Sequence, residues 1–297
     1  MKQNRVLFTS IDGFIGSNIF RKFNTSDIFF LTDKESRVDI KKNVYYYQDF
    51  EKIVMQKKIN VVFNNRGTLL GTATKLNRIN HLDSKKIFNI SKKYNVNYFI
   101  NLDTNKVLSS PSLPSSIINR GKGFEYHNSK RSFRTFFKDK ESPFSKINIH
   151  CDIIYGPNDK LHKFVNKTIC EIIDNDKNIT LYNPYLIRNF LYIDDFLSYI
   201  NNLLKSLDNL GAKYTELFLS SHEFNSLHEF ILTIKTLLKS NVSIKLYKGN
   251  AYKRTNEILK LEFDYGKNPK WLNLNKTLNL SSGLKKVIDR LLEARTK

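Results

Sequence analysis

Only one of the fifteen tyrosines in this 297-residue chain is followed by a lysine four positions later, in Tyr126-His-Asn-Ser-Lys130. On a helix that spacing puts the two side chains on one face, one turn apart. A phenol with an ordinary pKa of about 10 exchanges protons usefully at neutral pH only when its anion is stabilised. A neighbouring ammonium supplies that stabilisation, so the pair has the chemistry of a general acid or base. A second constellation lies near the N-terminus. The apolar run Arg5-Val-Leu-Phe-Thr9 leads into Ser10-Ile-Asp-Gly13-Phe-Ile-Gly16 and then into a helical pattern. Glycines at such a strand–turn–helix junction let the backbone approach a pyrophosphate, whose charge then sits on the helix N-terminus. Asp33 follows about 20 residues later, at the end of the next apolar run, where a carboxylate can bind a ribose.

These residues need strands that end where helices begin, and the first half of the chain has that rhythm. Ile15, Ile19 and Phe23 share a helix face; Ile28–Leu31, Val44–Tyr47, Asn60–Phe63, Tyr98–Ile100 and Ile147–Tyr155 read as strands with helical patterns between them. The alternation is that of βαβ units on a parallel sheet. The second half is mixed. Phe196, Tyr199, Ile200, Leu203 and Leu204 predict a helix beginning near Asp194, and Asp194 and Asp195 suit its N-terminal end. Ser226 and Glu229 form a capping box, Leu284–Leu292 a last amphipathic helix, and Ser109–Ser116 a surface loop.

With Thr9, Gly13, Phe14, Ile15 and Gly16 in place, the first turn resembles the T-G-x-x-G-F-I-G of the extended short-chain dehydrogenase/reductase family, the NAD-dependent epimerases, dehydratases and reductases of nucleotide sugars. Ser10 stands where the family has its first glycine. Asn64-Asn65 and His150 depart from the family's apolar residues and arginine. The resemblance implies an α/β, Rossmann-type doubly wound parallel sheet with a small mixed C-terminal substrate lobe. Residues 1–155 would form the NAD(P)-binding domain and 156–297 mostly the substrate lobe, with segments near 188–200 returning to the sheet. It also implies NAD(P)H as cofactor, held by Ser10, Gly13, Phe14, Ile15, Gly16, Asp33, the pair Asp49-Phe50 beside the adenine, Asn80 and Lys130. Tyr126 and Thr104 would bind the reacting oxygen, and Lys130 would hold the cofactor ribose while lowering the tyrosine pKa. Asp33 favours NADH, while Lys34 and Arg37 lie close enough in sequence to meet the 2′-phosphate of NADPH.

The substrate implied is a nucleotide-diphosphate sugar. Arg188, in Arg188-Asn-Phe-Leu-Tyr-Ile-Asp-Asp195, would clamp the diphosphate, with Arg254 and Lys163 as further substrate-binding residues. Phe99–Thr104, Tyr155–Phe164, Tyr214–Glu216 and Arg254–Ile258 look closest to CDP-abequose synthase and related 4-keto-6-deoxyhexose reductases. The expected activity is therefore reduction of a C4 carbonyl. The alternatives are an NDP-sugar 4-epimerase, or a catalytically inactive relative that survives as a binding protein. A 4,6-dehydratase is not expected, because Asn105 and Lys106 occupy the places of the acid–base pair that follows the threonine in those enzymes.

Composition agrees with such an enzyme. Hydrophobic residues make up 40% of the chain, enough for a full core, and no run is long enough to span a bilayer. The net charge of +21 comes from lysines dispersed in pairs such as Lys41-Lys42 and Lys92-Lys93, which argues against nucleic acid as partner. Cys151 and Cys170 are too few for a disulfide framework and are expected to be buried thiols in a cytoplasmic protein. No histidine shows metal-ligand spacing, so no metal is expected. A homodimer is left open.

Overall fold

The structure, a computed structural model, describes residues 4–23, 25–34, 43–104, 124–174, 178–182, 184–211, 213–247, 268–272, 274 and 276–296. The chain forms two compact units: Met1–Cys151 with Ile200–Phe218, and Asp152–Tyr199 with Leu219–Lys297.

The first unit is a Rossmann-type α/β fold. Its strands are β1 (Val6–Phe8), β2 (Ile28–Thr32), β3 (Val44–Tyr46), β4 (Val61–Asn64), β5 (Tyr98–Thr104), β6 (Ser145–Cys151) and β10 (Tyr214–Phe218). They lie in the order β10-β6-β5-β4-β1-β2-β3, and every neighbouring pair is parallel. Strands covered on both faces must be apolar throughout, as Val6-Leu-Phe8 and Val61-Val-Phe63 are. The order reverses between β1 and β4, the switch point at which such sheets open a ligand crevice beyond their C-terminal ends.

On one face, α2 (Phe50–Gln56), α4 (Ser84–Lys93) and α5 (Phe124–Asp139) contribute to a core of Leu7, Val62, Phe88, Phe99, Phe133, Phe137 and Phe144. On the other, α1 (Phe14–Phe23) places Phe20 and Phe23 against Phe8 and Phe30. Lys146, buried at the start of β6, donates from Nζ to the carbonyls of Phe137, Lys138 and Lys140 at 2.9, 2.8 and 2.9 Å. A cation on the last carbonyls is the favourable end of the helix dipole, and here it fastens the C-terminus of α5 to the sheet.

The second unit has a mixed sheet in which β7 (Ile153–Tyr155) runs parallel, and β11 (Phe224–Ser226) antiparallel, to β9 (Ile187–Tyr192). A parallel pair joins β8 (Asn178–Tyr182) to β12 (Ser243–Tyr247). The predicted strand over 147–155 is broken at Asp152 into β6 and β7. The segment that rejoins the large sheet is Tyr214–Phe218, not 188–200, because β9 is committed to the small sheet. Helices α6 (Phe164–Ile173), α8 (Leu227–Leu238) and α9 (Leu280–Arg295) complete this unit, and α7 (Ile193–Lys205) carries the chain across the division. The Ser226–Glu229 capping box of α8 forms in both directions. Phe190 and Phe230 stack with ring centroids 4.5 Å apart. Asp195 does not cap α7; its carboxylate accepts from the Leu278 amide at 2.8 Å. Cys151 is buried, but Cys170 is only partly so. Among the described residues no helix is long and apolar enough to cross a membrane.

Candidate active site

The turn after β1 is built by backbone closeness. A Cβ on Gly16 would collide with the Ser10 carbonyl, so only glycine lets α1 start this near the strand end. Gly13 is the opposite case, since a Cβ there would meet nothing within 4 Å. That open side, at the N-terminus of a ten-residue helix, suits the approach of a pyrophosphate. Ser10 fills the first glycine's place without strain because Asn65 brackets it. The Ser10 amide donates to Asn65 Oδ1 at 3.0 Å, and Asn65 Nδ2 donates to the Ser10 carbonyl at 2.6 Å. Asp12 extends the bracing by accepting from Thr32 Oγ1 at 2.7 Å and from the Asp33 amide at 2.8 Å.

Asp33 meets a residue that the sequence reading passed over. Arg66 Nη1 lies 2.7 Å from Asp33 Oδ2, its Nε 3.0 Å from Asp83 Oδ2, and its guanidinium 3.7 Å from the centre of the Tyr47 ring. Arg66 is buried, and the hydrogen bonds and charge of Asp33 hold its pKa up against the cost of that burial. Nearby, Asp49 sits at the N-cap position of α2 with no side-chain cap bond, and the Phe50 ring is turned into the core. Asn80 is wholly buried within a π-helical stretch, Arg78–Asp83, that leads into α4. Both its N–H groups are spent inside the protein, on the Thr68 carbonyl at 2.9 Å and on Ser129 Oγ of α5 at 3.0 Å. It therefore docks α5 to the loop after β4.

Tyr126 lies in the first turn of α5, half-buried, and Lys130 lies one turn later, buried. Lys130 Nζ donates to the Leu102 carbonyl at 3.0 Å, two residues before Thr104 ends β5. It also stands 3.5 Å from where a Cβ on Gly67 would be, so it hangs over the loop that leaves β4 at the switch point. Thr104 is half-buried, and its amide donates to Asp103 Oδ1 at 2.8 Å. The pair and the threonine thus share one corner of the first unit. Among the described residues no hydrogen bond joins the Tyr126 hydroxyl to either Lys130 or Thr104. Burial first, and then the Asp103 carboxylate, push the Tyr126 phenol up, while the Lys130 ammonium is turned to a backbone carbonyl. Burial pushes Lys130 down, with Asp103 pulling the other way.

A polar layer that the sequence showed only in part runs beneath this corner. Asn64, Asn101 and Asn148 are Cα partners across β4, β5 and β6 and are joined side chain to side chain. A signal was present: Asn101 and Asp103, then Lys146, Asn148 and His150, recur with period two inside otherwise apolar strands.

In the second unit, Arg188 Nη1 lies 3.7 Å from the buried Asp152 Oδ1. Lys163 is the N-cap residue of α6, and its charge is felt by Asp159. Arg254, Arg37, Asn105, Lys106 and the Ser109–Ser116 loop lie outside the described residues. Among the described residues, no three His, Cys, Asp or Glu side chains are grouped so as to hold a metal ion.

No curated protein matches the chain by sequence. Its fold is similar to that of MoeE5 in complex with UDP-glucuronic acid and NAD, with 14% identity, a TM-score of 0.72, and 98% of this chain and 100% of that one covered. It is similar too to UDP-glucose 4-epimerase from Thermotoga maritima, with 15% identity, a TM-score of 0.70, and 98% and 99% covered. For dTDP-glucose 4,6-dehydratase from Bacillus anthracis in complex with NAD the identity is 19% and the TM-score 0.67, with 99% and 98% covered. At these identities the likeness is one of fold. Residues 6–215 match the model of the NAD dependent epimerase/dehydratase family, and the chain belongs to that family.

Proposed function

We propose that this protein reduces the C4 carbonyl of a nucleotide-linked 4-keto-6-deoxyhexose with NAD(P)H. The observation that supports the reading is Lys130, one helical turn after Tyr126, bonded to the Leu102 carbonyl near the end of β5 and overhanging the loop at the switch point. The residues present suit a dinucleotide: an open Gly13 at a helix N-terminus, a close approach enforced by Gly16, and the carboxylate of Asp33 at the end of β2. When bound, the reduced nicotinamide supplies a hydride to the C4 carbon. Tyr126 gives its hydroxyl proton to the C4 oxygen as negative charge develops there. Thr104 donates a hydrogen bond to the same oxygen, and Lys130 holds the cofactor ribose. We assign the substrate diphosphate to Arg188 and Arg254, with Lys163 a further substrate-binding residue.

The family also contains dehydratases, but Asn105 and Lys106 speak against elimination. An amide does not trade protons, and an ammonium is a poor base for the C5 proton. The test is a panel of nucleotide-linked 4-keto-6-deoxy sugars assayed for substrate-dependent NAD(P)H oxidation. Stoichiometric oxidation with formation of a 6-deoxyhexose is expected. Interconversion of C4 epimers without net cofactor use would replace this reading with an epimerase, and release of a dehydrated product from an NDP-hexose would replace it with a dehydratase.

A further inference from the structure

Two asparagines of the small mixed sheet are treated in opposite ways. Asn189 of β9 is fully spent. Its Nδ2 donates to the Ser221 carbonyl at 3.0 Å, to Ser221 Oγ at 3.1 Å and to the Glu223 carbonyl at 3.0 Å, and its Oδ1 accepts from the Ser221 amide at 2.9 Å. The loop entering β11 is thereby fixed, and the Ser226–Glu229 capping box fixes the far end of that strand. Between these anchors, Asn225 has a buried Nδ2 with no hydrogen-bond partner. A buried donor left unpaired works against folding, so its retention calls for a reason. Asn225 is the Cα partner of Arg188 across β11 and β9, and residues so opposed share a face, with Cβ atoms about 4.5–5.5 Å apart. The Arg188 side chain is 15% exposed and makes no hydrogen bond among the described residues. Its ion-pair partner, Asp152, is held through Oδ2 by the Asn189 amide at 3.1 Å. Asp152 Oδ1 is buried, has no hydrogen-bond partner and lies 3.7 Å from Arg188 Nη1. At that distance the carboxylate balances the guanidinium charge and takes none of its N–H groups.

We infer that Asn225 is a further substrate-binding residue, donating together with Arg188 to oxygens of the diphosphate, an inference that rests on the proposed assignment of Arg188 to that group. The unspent donors set the class of ligand. The guanidinium presents a fork of N–H groups and the amide nitrogen adds its own, so the ligand must bring several acceptor oxygens. Paired oxygens suit the fork, and a second donor one strand away reaches an oxygen that the arginine leaves unbound. Both donors are set before a ligand arrives, Asn225 by the anchors on either side of it and Arg188 by Asp152. Binding is thereby spared the cost of ordering them. The same feature separates this role from a structural one. An amide that stabilises the fold is bonded within it, as Asn189 is. An amide kept for a ligand destabilises the free protein, and the ligand offsets the loss.

The test is calorimetric titration of CDP, UDP, dTDP and GDP into the full chain and into Asn225→Leu, the isosteric Asn225→Asp and Arg188→Gln, with the melting temperature of each. Whichever nucleoside diphosphate binds the unsubstituted chain most tightly is expected to bind Asn225→Leu about tenfold or more weakly, the loss of one hydrogen bond to a charged group. Asn225→Asp sets a carboxylate against the diphosphate and should lose more. The melting temperature of Asn225→Leu should equal or exceed that of the unsubstituted chain, because an unpaired buried donor has been removed. Unchanged affinity in both Asn225 variants, with Arg188→Gln weakened, overturns the inference alone. A lowered melting temperature in Asn225→Leu overturns it too, since the amide would then be bonded within the protein. If Arg188→Gln binds as tightly as the unsubstituted chain, or if none of the nucleotides binds, the assignment of the diphosphate to Arg188 fails and the inference fails with it.

Discussion

Along the face of the large sheet that α2, α4 and α5 cover, the strands start in one chemistry and end in another. Leu7, Val62 and Phe99 lie in a bed of phenylalanines, with Phe99 stacked on Phe144 at 5.7 Å and Phe88 edge-on to the same ring at 5.0 Å. Two residues further along each strand stand Thr9, Asn64 and Asn101, wholly or almost wholly buried yet hydrogen-bonded in sequence. The apolar half is specified by volume, so a neighbour of similar size can substitute. The polar half is specified pair by pair, because one wrong side chain orphans the groups on both sides of it. Stability is concentrated where the strands begin and chemistry where they end, as the exposed C-terminal edge of a parallel sheet requires.

The largest effect should come from the polar end. Tyr126→Phe is expected to lower turnover about 10²- to 10⁴-fold, the range for a lost general acid, with melting temperature and NADH titration nearly unchanged. Retention of more than about a tenth of the activity would remove Tyr126 from the chemistry. At the apolar end, Phe137→Ala should cost about 3–5 kcal/mol in denaturant unfolding, while the folded fraction keeps its turnover. A comparable loss of turnover per folded molecule would erase the division between the two ends.

Asn101→Leu tests the boundary between them. It leaves Asn64 Nδ2 without its acceptor on β5 and Asn148 Oδ1 without its donor, at about 1–3 kcal/mol for each orphaned group. Unfolding midpoints at or above that of the unsubstituted chain would show that the layer behaves as ordinary core. The smallest effect concerns cofactor choice. Asp33→Asn should raise affinity for NADPH relative to NADH roughly tenfold, about 1.4 kcal/mol, by fluorescence titration. An unchanged ratio would mean that Arg66 already neutralises that carboxylate.

Much of this was legible because it rests on local rules. The glycine turn, the Tyr126–Lys130 spacing and the Ser226–Glu229 cap each fall within a few residues, and apolar runs announced the strands of the parallel sheet. What escaped depends on registry between strands far apart in sequence. Asn64, Asn101 and Asn148 become a layer only when β4, β5 and β6 align. Arg66 reads as a loop cation until folding brings Asp33, Asp83 and Tyr47 around it. Asn80 reaches Thr68 and Ser129 only once the loop after β4 and α5 are brought together. The resemblance of Arg188–Asp195 to the family's segment implies a return to the large sheet, but β9 joins the small one. The pattern shows a strand before a helix but not which sheet that strand joins.

The anchoring of α5 has a kinetic consequence. Asn80 grips it at Ser129, Lys130 ties it to Leu102, and Lys146 holds its last carbonyls. A helix pinned at its second turn and at its last carbonyls is held between those points, so amides from about Lys130 to Asp139 should exchange with solvent hydrogen only when the sheet comes apart. Exchange protection mapped along α5 should therefore read as one slow block from Lys130 to Asp139.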